Sequence, residues 1–336
     1  MRVLITGGAG FVGHHFVEHF LKLTDANLVV LDKLTYASSG FDRIRDIQAF
    51  DERRVLILAA DFAQPLSDGV KREIGGVEYI LHLGAESHVD NSIANPEPFV
   101  ESNVLGTMRM LNFARELASR GTLRAFFYFG TDEVFGPAPE GVAYKESDRH
   151  LPKNPYAAAK SGGEMLVHAY RNTYGLPAII TRTMNIFGER QHPEKFIPKV
   201  INSLRERKAM PIHADATRTR AGVRAYIHAR NVADAYLFLL RKIEDGTPII
   251  GEDFHIIGER EVDNLSLARE IARIMDSELL YEMVDFHSSR PGHDLRYALD
   301  GSKIAALGWH LPKTFEYGLE KTVRWFLAND RWLNLS

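Results

Sequence analysis

The chain has 336 residues, no cysteine and a formal net charge of −3, with 45% hydrophobic and 25% charged residues. This composition excludes disulfides, thiol catalysis and cysteine-based zinc sites, and it leaves no broad basic field for nucleic acid or a membrane surface. The length suffices for a large core and two domains; the N-terminus lacks a signal-peptide layout and no apolar run is long enough to span a bilayer, so the cytoplasm is the expected location.

Short apolar, β-branched runs recur at residues 3–6, 28–32, 55–61, 79–85, 125–131 and 178–183, and residues 254–257 can add a late strand. Most are apolar on both faces, as parallel strands covered by helices must be. Strand alternating with helix predicts βαβ units and a doubly wound α/β sheet of the Rossmann kind. Residues 185–225 break the rhythm with Pro193, Pro198 and Pro211, and from about residue 259 the pattern turns helical and then loop-like. The expected division is a dinucleotide domain of residues 1–184 plus about 226–258. A smaller α/β substrate-binding domain takes about 185–225 plus 259–330.

Gly7-Gly8-Ala9-Gly10-Phe11-Val12-Gly13 follows the first strand and opens a helix. Glycines there allow a tight turn and let backbone N–H groups approach a pyrophosphate at the helix N-terminus. Asp32 ends the next strand, where a carboxylate accepts from both ribose hydroxyls and repels a 2′-phosphate; this favours NAD over NADP. Asp61 and Phe62, at the end of the third strand, are placed to meet the adenine. In the helix after the loop, His15-Phe16-Val17-Glu18-His19 matches the H-x-x-E-H metal pattern literally. Phe16 and Phe20 are the expected sheet-facing positions, which puts His15 and His19 on the solvated side, and no metal site is expected.

The run Ala125-Phe126-Phe127-Tyr128-Phe129-Gly130 leads into Thr131-Asp132-Glu133 at the carboxyl end of a strand, the edge where doubly wound sheets bind ligands. Asn154-Pro155-Tyr156 reads as a helix start, with Asn as N-cap and Pro at the first helical position. Tyr156 and Lys160 then share one helical face. A phenol is a poor base at neutral pH unless nearby positive charge lowers its pKa, and Lys160 together with an oxidised nicotinamide is expected to do so. The Thr131 hydroxyl can bridge Tyr156 and a substrate hydroxyl. Asp132 and Glu133 read equally well as turn residues or as a functional pair of acids.

Taken together, Gly7 to Gly13, Asp32-Lys33-Leu34-Thr35-Tyr36, Ala85-Glu86-Ser87-His88-Val89-Asp90, Asn103-Val104-Leu105-Gly106-Thr107, Thr131-Asp132-Glu133-Val134-Phe135-Gly136 and Tyr156 to Lys160 resemble the extended short-chain dehydrogenase/reductase family. Within it they are most similar to the nucleotide-sugar 4,6-dehydratases of the dTDP-glucose type. His192-Pro193-Glu194-Lys195-Phe196-Ile197-Pro198 and Arg290-Pro291-Gly292-His293-Asp294-Leu295-Arg296-Tyr297 extend the likeness into the second domain.

The resemblance implies a lyase with tightly bound NAD that converts an NDP-hexose, dTDP- or UDP-glucose, to a 4-keto-6-deoxy sugar. Thr131, Asp132, Glu133, Tyr156 and Lys160 are then the catalytic set, with Glu133 as base at C5 and Asp132 as acid at the C6 hydroxyl. Gly7, Gly10, Phe11, Val12, Gly13, Asp32, Lys33, Leu34, Thr35, Asp61, Phe62, Leu83, Gly84, Ala85, Ser87, Ser102, Tyr156 and Lys160 hold the cofactor. Ser87, Thr131, Asn185, Lys195, Phe196, Ile197, Pro211, His213, Arg224, His255, Arg290 and His293 hold the nucleotide sugar. Arg224-Ala225-Tyr226 stands where the family has Arg-Asp-Trp, His255 stands where it has Asn, Ile186 replaces a second Asn after Asn185, and Arg218 and Arg220 are additional. The family also implies a homodimer built as a four-helix bundle from the helices near 98–119 and 155–174. The rival readings are an NDP-sugar 4-epimerase or decarboxylase on the same scaffold and a non-catalytic NAD-binding regulator.

Overall fold

In the computed structural model, residues 1–35, 40–285 and 296–334 are described. Among them, twelve strands form three sheets. The largest sheet contains β1 (Arg2–Thr6), β2 (Asn27–Asp32), β3 (Val55–Ala59), β4 (Tyr79–His82), β5 (Ala125–Thr131), β6 (Ala178–Thr183) and β10 (Asp253–Ile256). Its order is β10-β6-β5-β4-β1-β2-β3 and every pairing is parallel. The expected strands are all present. The third and fourth are shorter at their carboxyl ends than their apolar runs suggest: Asp61 braces the loop after β3 by accepting from Ala63 N, and Leu83 to Ala85 belong to the ligand-binding edge.

Alternate residues of each strand enter opposite apolar layers. Val3, Ile5 and Phe127 join the layer under α1 (Phe11–Leu23), whereas Leu4, Phe126 and Tyr128 join the other. Burial on both faces explains the unbroken apolar runs. On the first side α1 packs with α9 (Ala229–Glu244). The other side is covered by α3 (Asp68–Ile74) and by a continuous helical segment running from α5 (Glu97–Val100) to α6 (Thr107–Ser119). The short α2 (Asp42–Arg45) and α4 (Val89–Ala94) lie in the connections.

The strands β7 (Asn185–Phe187), β9 (Val223–His228) and β11 (Glu261–Asp263) form a second sheet, and β8 (Met210–Ala214) pairs with β12 (Tyr281–Asp285) in a third. With α8 (Phe196–Glu206), α10 (Asn264–Ile274) and a C-terminal helix, α12 (Phe315–Ala328), they enclose a separate apolar cluster. Residues around α11 (Ser302–Ala306) depart from the expected division. Leu299, Ile304 and Trp309 pack into the large-sheet core instead. No helix among the described residues is long and apolar enough to cross a membrane.

His15 and His19 correct the expected solvated face of α1. His15 is fully buried; its Nε2 lies 3.1 Å from the Glu189 carbonyl oxygen, and its ring meets His228 edge-on. His19 Nε2 lies 3.5 Å from Asp234 of α9. Phe16 and Phe20 do face the core, but α9 and the 188–191 connection cover the other side of the helix as well.

Between α5 and α6, residues Glu101–Gly106 form a π-type turn. Such a wide turn breaks the regular ladder and tends to mark a site where backbone groups are needed elsewhere. Here Asn103 lends its side chain to the β4 connection: Oδ1 accepts from Glu86 N at 2.9 Å and Nδ2 donates to Glu86 O at 2.9 Å. The Asn103 carbonyl accepts from Thr107 Oγ1 at 2.7 Å. It also fits against Gly163 of α7 (Pro155–Tyr174), where an added Cβ would lie 2.3 Å from that carbonyl oxygen and 2.7 Å from the Tyr128 hydroxyl. Gly163→Ala is therefore expected to cost about 1–3 kcal/mol. Chemical denaturation measures this, and a cost below about 0.5 kcal/mol, the scale of a neutral surface change, would show that the turn yields freely.

Candidate active site

Strand order reverses between β1 and β4, and two adjoining cavities open at the carboxyl edge there. The first is walled by the glycine loop, Asp32, Lys33, Thr35, Phe62, Leu83 to His88, Ser102, Phe129, Tyr156, Lys160 and the segment Gln191 to Lys195, Pro193 excepted. The second is walled by Thr131, Asp132, Glu133, Thr183 to Ile186, Lys195 to Ile197 and Tyr226. Phe11, Val12, Ser87, His88, Phe129, Tyr156, Gln191, Glu194 and Lys195 belong to both.

Several features of the first cavity suit a dinucleotide. Gly7 has φ 68°, and a Cβ on Gly13 would lie 2.2 Å from the Gly7 carbonyl oxygen, so the turn has room for backbone only. The helix begins at Gly10 without a side-chain cap, which leaves its first N–H groups for an anion. Asp32 accepts from Ala9 N at 3.0 Å and Leu34 N at 2.8 Å. Its burial raises the carboxyl pKa against these bonds. Of the residues expected around the cofactor, Leu34 and Asp61 do not line the cavity. Leu34 adopts φ 57° and turns its N–H to Asp32, while Asp61 accepts from Ala63 N at 2.8 Å as a loop brace. Glu86, His88, Gln191, His192 and Glu194 are additional wall residues. All lie in or beside segments singled out in the sequence, but no local pattern distinguishes them from loop positions.

The triplet sits where β5 ends. Thr131 closes the strand and Asp132–Phe135 forms a 3-10 turn that stops at Gly136, whose φ is 76°. Thr131 Oγ1 donates to Asp132 Oδ1 at 3.1 Å. Asn154 caps α7 as expected, its Oδ1 accepting from Ala157 N at 2.8 Å, and its Nδ2 donates to Glu133 Oε2 at 2.9 Å. That second bond is invisible in the sequence because it spans 21 residues. Burial, and then the neighbouring Glu133 charge, push the Asp132 carboxyl up to about 7, against the lowering effect of Arg224 and the Thr131 hydroxyl.

Tyr156 departs from the electrostatic expectation. Burial and the Glu133 charge raise its phenol above the ordinary range, and the lowering comes from the Thr131 hydroxyl. Lys160 does not supply that lowering. Its Nζ donates to the Phe129 carbonyl at 2.6 Å and lies 4.3 Å over the Tyr128 ring, and burial brings its own pKa down to about 7.

Among the residues expected at the nucleotide end, Asn185, Lys195, Phe196 and Ile197 line the second cavity; Pro211, His213 and Arg224 do not. Arg224 is nearly buried, donates to Val223 O at 2.8 Å and lies over Tyr297. His255 is corrected outright: it is fully enclosed, with Nδ1 3.2 Å from Asp300 O and Nε2 3.2 Å from Arg182 Nη1. A buried strand position leaves it no path to a ligand. Arg290 and His293 lie outside the described residues.

A profile of the family described as GDP-mannose 4,6 dehydratase matches residues 4–322. The chain belongs to the nucleotide-sugar 4,6-dehydratase family. A dTDP-glucose 4,6-dehydratase of Escherichia coli is 36% identical, over 99% of this chain and 94% of that protein. The trifunctional UDP-glucose 4,6-dehydratase, 3,5-epimerase and reductase of Arabidopsis thaliana is 35% identical over 98% of this chain, which spans 48% of that longer protein. The structure of the dTDP-glucose 4,6-dehydratase DesIV from Streptomyces venezuelae, solved with NAD bound, superposes with a TM-score of 0.87 at 36% identity, covering 100% of both chains.

The raised Asp132 pKa gives a signed stability prediction. A carboxyl whose folded pKa lies above its unfolded value contributes stability below the unfolded value, and this is lost as pH rises through the folded pKa. Asp132→Asn is expected to be more stable than the parent at pH 8, by on the order of 4 kcal/mol, with the gain disappearing toward pH 4. Thermal unfolding across that range reads it, and a gain independent of pH would contradict the assignment.

Proposed function

We propose that this chain is an NAD-dependent NDP-hexose 4,6-dehydratase acting on dTDP-glucose or UDP-glucose. The observation that carries this reading is the shared wall: Tyr156 faces both cavities, with Lys160 on the glycine-loop side and Thr131, Asp132 and Glu133 on the other. Gly7, Gly10, Gly13, Asp32 and Lys160 hold the cofactor, and bound NAD supplies hydride acceptance from C4 and hydride return to C6.

The chain's own residues move the protons. Tyr156 takes the proton of the 4-hydroxyl, its phenolate favoured by the positive charge that bound oxidised nicotinamide would place beside it and by the Thr131 hydroxyl, which bridges the two hydroxyls, against the burial that raises it. The ketone at C4 acidifies the C5 proton, which Glu133 removes as base, oriented by Asn154. Asp132 is the acid: with a pKa of about 7 it still carries a proton near neutrality, which it gives to the C6 hydroxyl as that group leaves as water. Glu133 then returns its proton to C5. Two adjacent carboxyl groups can do opposite work because their environments differ, one enclosed and the other hydrogen-bonded and partly open. A 4-epimerase needs neither acid at C6 nor base at C5, and a regulator needs no triplet.

We also propose that the chain acts in the cytoplasm as a homodimer, pairing α6 and α7 with their copies. Leu105, in the π-type turn that leads into α6, and Met165 and Tyr174 of α7 leave exposed apolar surface on this side.

Hexose nucleotides deuterated at C4 test the reaction. Label is expected at C6 of a 4-keto product; a keto-free product inverted at C4 would make it an epimerase. Glu133→Gln and Asp132→Asn are each expected to lower kcat by about 10²–10⁴-fold. Full dehydration by both variants would remove the acids from the mechanism.

A further inference from the structure

Among the described residues that line both cavities, Gln191 is the one that is buried, at 8% exposure. Its Nε2 donates to the Ile186 carbonyl of β7 at 2.9 Å. A carbonyl oxygen can only accept, so this bond decides which way round the planar amide sits. Nε2 is committed to β7, and Oε1 is presented on the opposite side. Among the described residues, no group donates to Oε1. An amide oxygen has room for two donors.

The backbone that carries Gln191 is fastened from behind, residue by residue. A Cβ on Gly188 would lie 3.1 Å from His15 Nε2 and 3.3 Å from His228 Nε2, so the chain passes hard against α1 and the end of β9. Glu189 is fully buried. Its Oε1 accepts from Arg230 Nη1 at 2.8 Å, its Oε2 lies 3.1 Å from His228 Nε2, and its carbonyl oxygen lies 3.1 Å from His15 Nε2. Arg190 adopts φ 64°, which is uncommon for a residue with a side chain. Its Nε donates to Asp46 Oδ2 at 2.6 Å and its Nη2 to Asp46 O at 2.9 Å, while its carbonyl accepts from Arg43 Nε at 3.0 Å. Three consecutive residues are thus held by the layer behind the site, and the fourth reaches the cavities. A strained backbone residue persists where its surroundings over-determine it, and such residues gather at ligand clamps.

A hydride that passes between cofactor and sugar requires the nicotinamide to lie at the wall the two cavities share. Returning hydride to a second carbon requires that ring to keep its orientation meanwhile. Of the polar groups on this wall, Tyr156 is engaged with the 4-hydroxyl in the proposed reaction, and Ser87 and Glu194 are exposed. Glu194 also lies 3.6 Å from His88 and 3.4 Å from Lys195. Gln191 offers an uncharged acceptor of fixed direction, which is the complement of a carboxamide NH2.

We propose that Gln191 is a further cofactor-binding residue, its Oε1 accepting from the carboxamide NH2 of the nicotinamide, and that the 188–191 connection is the brace that sets the orientation of the ring. The proposal rests on the dehydratase reading in placing the nicotinamide at the shared wall.

The test is displacement of radiolabelled NAD from the holoenzyme, by unlabelled NAD or by its 3-acetylpyridine analogue. The analogue keeps the carbonyl and replaces the NH2 by a methyl group. The ratio of the two displacing concentrations, analogue over NAD, is compared between the parent and Q191M. It is expected to be about five- to tenfold smaller in Q191M, the net worth of one hydrogen bond. Q191N, whose shorter side chain withdraws the oxygen, carries the same expectation if Q191M does not fold. An unchanged ratio would overturn the proposal, whether both cofactors bind more weakly alike or the KM for the nucleotide sugar rises instead. Failure of both variants to fold would overturn it as well. If the parent itself makes no 4-keto product, the dehydratase reading fails, whereas the displacement ratio needs no turnover and still decides the role of Gln191.

Discussion

A single chain of directed hydrogen bonds runs beneath the cofactor cavity, and the geometry of the whole edge depends on it. Gly84 N donates to Thr6 Oγ1 at 3.1 Å, and Thr6 Oγ1 meets His82 Nδ1 at 2.8 Å. On the other side of the ring, Nε2 meets Thr107 Oγ1 at 3.2 Å, and Thr107 donates to the Asn103 carbonyl. Each hydroxyl donates one way and accepts the other, so the ring must carry its proton on Nε2 and accept at Nδ1. That arrangement exists only for neutral imidazole, and burial keeps His82 neutral down to about pH 3. The ends of β1 and β4, the connection that follows β4 and the π-type turn are thereby locked to one another through a group that does not titrate in the working range. Buried polar networks are favourable only when every member is satisfied, and this one is.

From that fixed edge, the chemistry divides by environment. Asp132 and Glu133 are adjacent in sequence and identical in kind. One is enclosed at the strand end beside a like charge, and the other reaches an amide donor in the open cavity. The 3-10 turn turns the two side chains to different surroundings, which a continuing strand would also do but without placing both at the same cavity wall. The cost of enclosing Asp132 falls on stability above neutrality, a common exchange at active sites.

Much of this was legible in the sequence where the determinants are local. The parallel sheet follows from apolar runs buried on both faces; the glycine turn, the Asn154 cap and the Tyr156–Lys160 spacing follow from short-range geometry. What stayed hidden depends on contacts distant in sequence. His15 looks solvated until α9 is laid over α1, and His255 looks like a ligand contact until β10 encloses it against Arg182. The expectation that Lys160 lowers the Tyr156 pKa failed for a related reason. Sharing a helix face does not determine where an ammonium spends its hydrogen bonds, and Lys160 spends them on the β5 backbone. The nucleotide end remained the least legible part, because Pro211, His213 and Arg224 were located by analogy of position rather than by any physical pattern of their own.

Asn154 illustrates a constraint of another kind. Its planar amide offers an acceptor to the start of α7 and a donor to Glu133 at the same time. Ser or Asp can start a helix equally well, but neither presents both functions on one rigid group, and Asp would set a negative charge against Glu133. The helix carrying the tyrosine and the turn carrying the base are thus joined through one side chain. Selection for a well-started helix and selection for an oriented base act on the same atom pair, so neither trait is free to drift without the other.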